Sequence, residues 1–320
     1  MEHDAPDPKQ DMTDLSGPPA TSLRRALQIL GDPWTMLILK ESFNGTRRFS
    51  GFQRALNIPK QTLSLRLAAL CRDQMMYRRY TGPGASMLDY APTPKTLDLQ
   101  DAMYAIWLWH RATPGGAEVL PFDIVHRSCG QVISASYRCT ACGAPATSDS
   151  VTIQRTQPEQ VDTAPRPRLA RRNDASFTAA VPNFQAMIAA SVVGDLPCNE
   201  ILYLLFQAPL HLLGIAHDLG LGVSVVRDRL DKLMALGLVA EEAQGRKLLY
   251  SVLPRAEGFF PLLLAIADWG DRWCNAGGPP PDQRIHSCGA LLRPRYACDH
   301  CGDWLSRDTL TIRMHGETGD

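Results

Sequence analysis

The chain repeats itself. LQILGDPWTMLILKESF, starting at Leu27, aligns with ASVVGDLPCNEILYLLF, starting at Ala190, and the offset of 163 lays Gly31 and Asp32 on Gly194 and Asp195. At the same offset LSLRLAAL from Leu63 meets VRDRLDKL from Val226. AMYAIWLWHR from Ala102 and LLLAIADWGD from Leu262 align at 160, and Cys129 and Cys288 at 159. A repeat on this scale constrains architecture more than any local propensity, because the folding unit is then one copy and the chain should carry two comparable ones. With 320 residues, of which 45% are hydrophobic and 21% charged, there is material for two cores.

The copies end in similar tails, HRSCGQVISASYRCTACG from His126 and HSCGALLRPRYACDHCG from His286, which hold six of the nine cysteines. The amino terminus is acidic and Pro-rich rather than built like a signal peptide, and no apolar run is long enough to cross a bilayer. The expectation is a cytoplasmic protein without membrane contact. In that reducing setting the tail cysteines are more suited to metal than to disulfides, while Cys71, Cys198 and Cys274 read as core residues.

Within the first copy, Asp32 followed by Pro33 is a helix start. The apolar run to Phe43 fills the helix, and Asn44 and Gly45 stop it. Behind Ser50, read as a second cap, Phe49, Phe52, Ala55 and Leu56 recur at helical spacing up to Asn57. After Pro59 the positions Leu63, Leu67 and Leu70 form one stripe, with Lys60, Gln61, Thr62, Ser64 and Arg66 mostly off it. Two short helices at a tight turn predict a helix-turn-helix. MMYRRY and MLDYAPT around Gly-Pro-Gly predict two strands, the wing. A last helix from Lys95 to Arg111 carries Trp107 and Trp109, and its counterpart Trp269 and Trp273; this much apolar surface predicts packing between units.

SLRRALQILGDPWTMLILKESFNGTRRFSGFQRALNIPKQTLSLRLAAL, through its GDPWT, RRFSGFQ and LSLRLAAL stretches, resembles the HxlR-type winged helix-turn-helix domain of bacterial transcriptional regulators. The likeness covers residues 22 to 112 and, more loosely, 185 to 275; the HxxCG and CxxCG tail also resembles an extension seen in part of that family. It implies double-stranded DNA as partner, a helix after the turn that enters the major groove, and dimerisation through terminal helices. Thiol-sensing members carry a Cys near the start of the first helix, where this chain has Thr21 and Ser22, so sensing of that kind is not implied.

The fold class expected is mainly α with small β wings: two winged helix-turn-helix domains, each followed by a zinc-ribbon-like Cys tail. The boundaries expected are a disordered terminus over 1–20, a winged unit over 21–115, a tail over 116–152, a linker over 153–183, a second winged unit over 184–276 and a second tail over 277–320.

Charge separates the copies. Residues 40 to 80 hold nine cations against two acids, net +7, while residues 203 to 243 hold three against five, net −2. Neutralised phosphates release counterions, so a cationic surface favours DNA. Arg47, Arg48, Lys60, Gln61, Thr62, Ser64, Arg66, Arg78 and Arg79 are the expected DNA contacts. Glu241 and Glu242 stand where the first copy has Arg78 and Arg79, so the second unit reads as a degenerate mate touching DNA at most through Arg227, Arg229, Arg246 and Lys247. A charged helix face that only solvates its surface is the plain alternative.

His126, Cys129, Cys139 and Cys142 form one expected zinc set, and His286, Cys288, Cys298 and Cys301 the other, with the same nine and two spacing between cysteines. Gly130, Gly143, Gly289 and Gly302 each follow a Cys, where a tight bend would free amides for thiolate sulfur. Empty reduced thiols, a stress disulfide or a three-ligand knuckle stay open, and Asp299 and His300 compete as ligands in the second set. Ser/His/carboxylate groupings and phosphate-cradling glycine loops are lacking, so no enzyme is expected. Two readings follow: a DNA-binding regulator whose units pair within the chain or between chains, and a zinc-stabilised protein-interaction module.

Overall fold

The computed structural model describes residues 20–156, 192–245, 247–275 and 277–315, apart from 114, 119 and 121. Residues 1–19 of the expected disordered terminus, most of the expected linker and Arg246 lie outside the described residues, whereas Ala20 is described and buried.

In the first half, α1 (Ser22–Leu30) is followed by α2 (Pro33–Phe43), α3 (Phe49–Leu56) and α4 (Lys60–Arg72). Asp32 caps α2 as its sequence predicts, its Oδ1 accepting from the Thr35 amide at 2.9 Å. Asn57 ends α3 in the left-handed region at φ 47°. The cap of α3 differs from expectation: Arg48 holds that position without a side-chain bond, and Ser50 lies in the first turn. Leu63, Leu67 and Leu70 are buried, so the inner stripe of α4 faces α2 and α3. β1 (Met76–Thr81) and β2 (Met87–Pro92) make the antiparallel wing, with Arg79 opposite Asp89. The expected last helix is broken. Thr93 caps a short α5 (Pro94–Leu97), and α6 (Gln100–Ala112) then runs on its own.

The second half repeats the order with α7 (Leu196–Leu205), α8 (Leu212–Leu219), α9 (Val223–Ala235), a sheet of β6 (Leu210–His211), β8 (Lys247–Val252) and β7 (Val239–Gln244), and α10 (Phe260–Trp273).

One continuous core runs through both halves. α10 lies against both α1 and α6. The close approach to α1 falls at Gly270, where a Cβ would stand 2.3 Å from the Ser22 carbonyl oxygen. Trp269 is fully buried and its Nε1 donates to the Lys95 carbonyl at 2.8 Å. Trp109 packs at a tilt against Phe259 with centroids 4.4 Å apart. Arg24 and Glu200 pair across the halves at 2.6 Å with side chains 2% and 5% exposed. The carboxylate of Asp282, wholly buried, accepts from the Ser22 amide at 2.7 Å and the Tyr203 hydroxyl at 3.1 Å. Buried charges persist only where such partners offset their desolvation, so these pairs fix the register between halves.

The tails interlock. β3 (Phe122–His126), β4 (Ala135–Cys139) and β5 (Val151–Arg155) follow α6, while β9 (Asp282–His286), β10 (Pro294–Cys298) and β11 (Leu310–Met314) follow α10. Every strand of one tail pairs with a strand of the other, β3 with β11, β4 with β10 and β5 with β9. Residues 153 to 155, expected to begin the linker, instead belong to β5 and bond to β9.

Candidate nucleic-acid interface and metal clusters

The outer face of α4 exposes Lys60, Gln61, Ser64, Leu65, Ala68 and Arg72, with Thr62 half-buried at its edge. Arg78 and Arg79 are exposed on the adjoining wing. Lys60 and Arg54 make no ion pair among the described residues and carry their charge to solvent. Leu65 is 64% exposed in the middle of the face. Its only sequence signal was the break it makes in the polar positions of α4, which a search for cations passes over.

Other expected contacts are engaged within the fold. Arg66 pairs with Asp32 at 2.7 Å, tying α4 to the start of α2. Its counterpart Arg229 meets Asp195 at 3.1 Å, joined by Lys232 at 3.3 Å. Arg47 donates to the carbonyls of Ser42 and Thr46 at 2.5 and 2.9 Å, closing the end of α2. Its burial, with Arg79 and Arg307 nearby, lowers its pKa. Arg48 and Arg79 each stand 3.8 Å from Asp89, and Arg78 lies 5.8 Å over the Tyr90 ring. On the second half the matching surface exposes Val223, Ser224, Arg227, Glu241 and Glu242.

All eight expected metal-ligating side chains cluster, but not in the sets their spacing suggested. His126 and Cys129 of the first tail meet Cys298 and Cys301 of the second; Cys139 and Cys142 meet His286 and Cys288. In each cluster the four ligand atoms lie within 4.8 Å of one another. His126 Nδ1 is 3.4 Å from the sulfurs of both Cys129 and Cys301, the Cys129 and Cys298 sulfurs are 3.9 Å apart, and His286 Nδ1 is 3.5 Å from the Cys142 sulfur. Sulfurs on a tetrahedral ion at about 2.3 Å stand roughly 3.7 Å apart, so the spacing fits one ion per cluster. His126 and His286 are buried, and His286 Nε2 lies 3.2 Å from the Pro145 carbonyl, which orients its ring.

The physical cause of the exchange is the central strand pair. Tyr137 opposes Tyr296, so Cys139 sits beside Pro294 and Cys298 beside Ala135, at opposite ends of the ladder. Two pairs of cross-tail backbone bonds recur with the halves exchanged: Thr140 N to Arg293 O and Asp299 N to Ser134 O, Arg127 N to Thr309 O and Ser287 N to Ser150 O. The Tyr137 and Tyr296 rings stack at 4.6 Å beneath Tyr104 of α6, and burial pushes both phenols up.

Two local expectations change. The amides of Gly130, Gly143, Gly289 and Gly302 donate to carbonyls of His126, Cys139, His286 and Cys298, closing each knuckle at positive φ. Sulfur is instead approached one residue later, by Ala144, Ala290 and Asp303. The bond to His286 and the Ala290 amide bring the Cys288 thiol down to about 7. Asp299 is occupied by Ser134, Ser136 and Arg138 of the first tail at 2.9, 2.7 and 3.3 Å, and His300 is exposed outside both clusters.

A turn between α3 and α4 with a solvent-facing second helix and a two-stranded wing defines a helix-turn-helix protein. The profile described as HxlR-like helix-turn-helix matches residues 29–114. Two relatives, the uncharacterized HTH-type transcriptional regulators Mb3122 of Mycobacterium bovis and Rv3095 of Mycobacterium tuberculosis, are each 34% identical over 131 residues, spanning 41% of this chain and 83% of theirs. The chain belongs to the HxlR-like helix-turn-helix family. Among solved structures, PA1607, given as a candidate transcription factor, aligns at TM-score 0.35 and 27% identity over 44% of this chain and 93% of its own. PA1374 of Pseudomonas aeruginosa, described in the same terms, aligns at 0.29 and 23% over 49% and 99%. Among the described residues no helix is long and apolar enough to cross a membrane.

Proposed function

We propose that the chain is a sequence-specific, double-stranded DNA-binding transcriptional regulator of the cytoplasm, with no catalytic role, built as a tandem duplication in which two winged units form a pseudo-dimer within one chain. The first unit is the reading head; the second is a degenerate mate that keeps the shape without the charge. Up to two zinc ions, held by the two Cys/His clusters, brace the tails structurally. The names of the mycobacterial relatives support the regulatory reading, and the strand pairing with halves exchanged supports the duplication.

The observation that carries the assignment is the surface of α4 and the wing. Lys60, Gln61, Ser64 and Leu65 lie on one outer face continuous with Arg78 and Arg79, where the second half offers Val223, Ser224, Glu241 and Glu242. Side chains of the first set can touch base edges, with Leu65 suited to a thymine methyl, while the wing cations hold phosphates. Arg66 and Arg47 contribute by holding α4 and the end of α2, not by reading bases.

Binding of fluorescent duplexes across a salt series tests this directly. A steep loss of affinity with salt and an asymmetric site selected from random DNA are expected, because the two heads differ. A flat salt response favours the interaction-module reading, which the solvent-facing Leu213, Val223 and Leu248 of the second half support.

A further inference from the structure

We propose that the two metal ions are cross-links between the halves: each is bound by the His/Cys pair of one tail and the CxxC pair of the other, so that loading ties the two tails to each other. This rests on the clusters holding metal, and adds which residues share an ion.

The strand register carries it. β4 and β10 run antiparallel across the pseudo-symmetric centre at Tyr137 and Tyr296. Cys298 lies beside Ala135, at the end of β4 where His126 and Cys129 arrive; Cys139 lies four residues further along. At about 3.3 Å per residue that is roughly 13 Å, far beyond the 4.8 Å within which each cluster's ligand atoms fall. A set drawn from one tail, such as His126, Cys129, Cys139 and Cys142, could meet one ion only if the strands came apart. The pairs of β3 with β11 and β5 with β9 present the two histidines at the ends of strands already bonded to the opposite tail, His126 opposite Leu310 and His286 opposite Val151. Each ion therefore closes a loop that runs through both halves.

The test is the zinc content of the full chain after loading with zinc(II), read by elemental analysis. Wild type is expected to bind two ions. Cys129→Ser with Cys301→Ser removes ligands of one cluster from two tails and should leave one ion; Cys129→Ser with Cys142→Ser removes ligands of one tail and should leave almost none. The reverse order would overturn the cross-link and assign one ion to each tail. A wild type that takes up no zinc would overturn the metal reading and the cross-link with it.

A milder variant guards against loss of fold. Cys142 and Cys288 are exposed while Cys139 is buried, so Cys142→Ser in the zinc-loaded chain should open Cys288 to an alkylating reagent, mapped by peptide mass. Opening Cys129 in place of Cys288 would also overturn sharing. The buried Cys198, unreactive throughout, reports that the fold is intact.

Discussion

Asp89 is a negative charge placed among the cations proposed to hold DNA, and replacing it should tighten binding. It sits on β2, 3.8 Å from both Arg48 and Arg79, whose side chains are 59% and 48% exposed while its own is 11% exposed. A phosphate on the far side of either guanidinium would stand about 7 Å from the carboxylate, where repulsion in a water-like dielectric is about 0.6 kcal/mol. For two phosphates the sum is about 1.2 kcal/mol, which screening reduces to about 0.5 kcal/mol at 0.15 M salt. Asp89→Asn keeps the shape and removes the charge. It is expected to bind duplex DNA roughly eightfold tighter where salt is too dilute to screen and about twofold tighter at 0.15 M salt. The cost in stability should be small, because pairs with half-exposed arginines contribute little, about 0–1 kcal/mol. Anisotropy titrations at several salt concentrations, with a thermal melt as control, measure both. A folded variant that binds more weakly, or equally at every salt, would refute the electrostatic reasoning and show that Asp89 serves to aim the arginines.

Four further outcomes follow from named contacts. Arg78→Ala, on the exposed wing, should reduce the slope of log affinity against log salt by about 0.9, one phosphate's worth, in the same titrations. Arg66→Ala and Arg229→Ala, which cut equivalent bonds to Asp32 and Asp195, should each lower the melting temperature in calorimetry, and the effect of Arg229→Ala should not depend on DNA. Glu200→Ala leaves Arg24 buried without that carboxylate and should cost about 3–5 kcal/mol in denaturant unfolding; a cost below about 1 kcal/mol would remove the pair as a clamp between halves. Burial raises the Asp101 carboxyl to about 6, with Arg272 opposing the rise. A carboxyl raised above its unfolded value of 3.8 favours the native state when protonated, so its contribution is full below about pH 4 and is lost as pH rises through about 6. Asp101→Asn should therefore raise the melting temperature at pH 8 relative to wild type and change it less at pH 4.

The turn and wing of the first half were legible because their signals are local: a cap at Asp32, a left-handed Asn57, a leucine stripe and a Gly-Pro-Gly bend each act within a few residues. The alignment of the halves was legible too, since Arg66 and Arg229 recur on Asp32 and Asp195 at one offset. Which cations stay free was not, because Arg48, Arg66 and Arg79 are engaged by carboxylates that only folding brings near, and the exposure of Leu65 depends on the face around it being left open. The eight metal-ligand candidates could be found from residue type and spacing, but how they group could not. Spacing measures distance along the chain, whereas coordination needs distance in space, and antiparallel pairing across Tyr137 and Tyr296 carried each CxxC to the other tail's histidine. The sequence by itself determined the helix-turn-helix and the inventory of chemistry; only the tertiary structure decided which side chains share a site, because non-local strand register and burial choose partners that local pattern cannot encode.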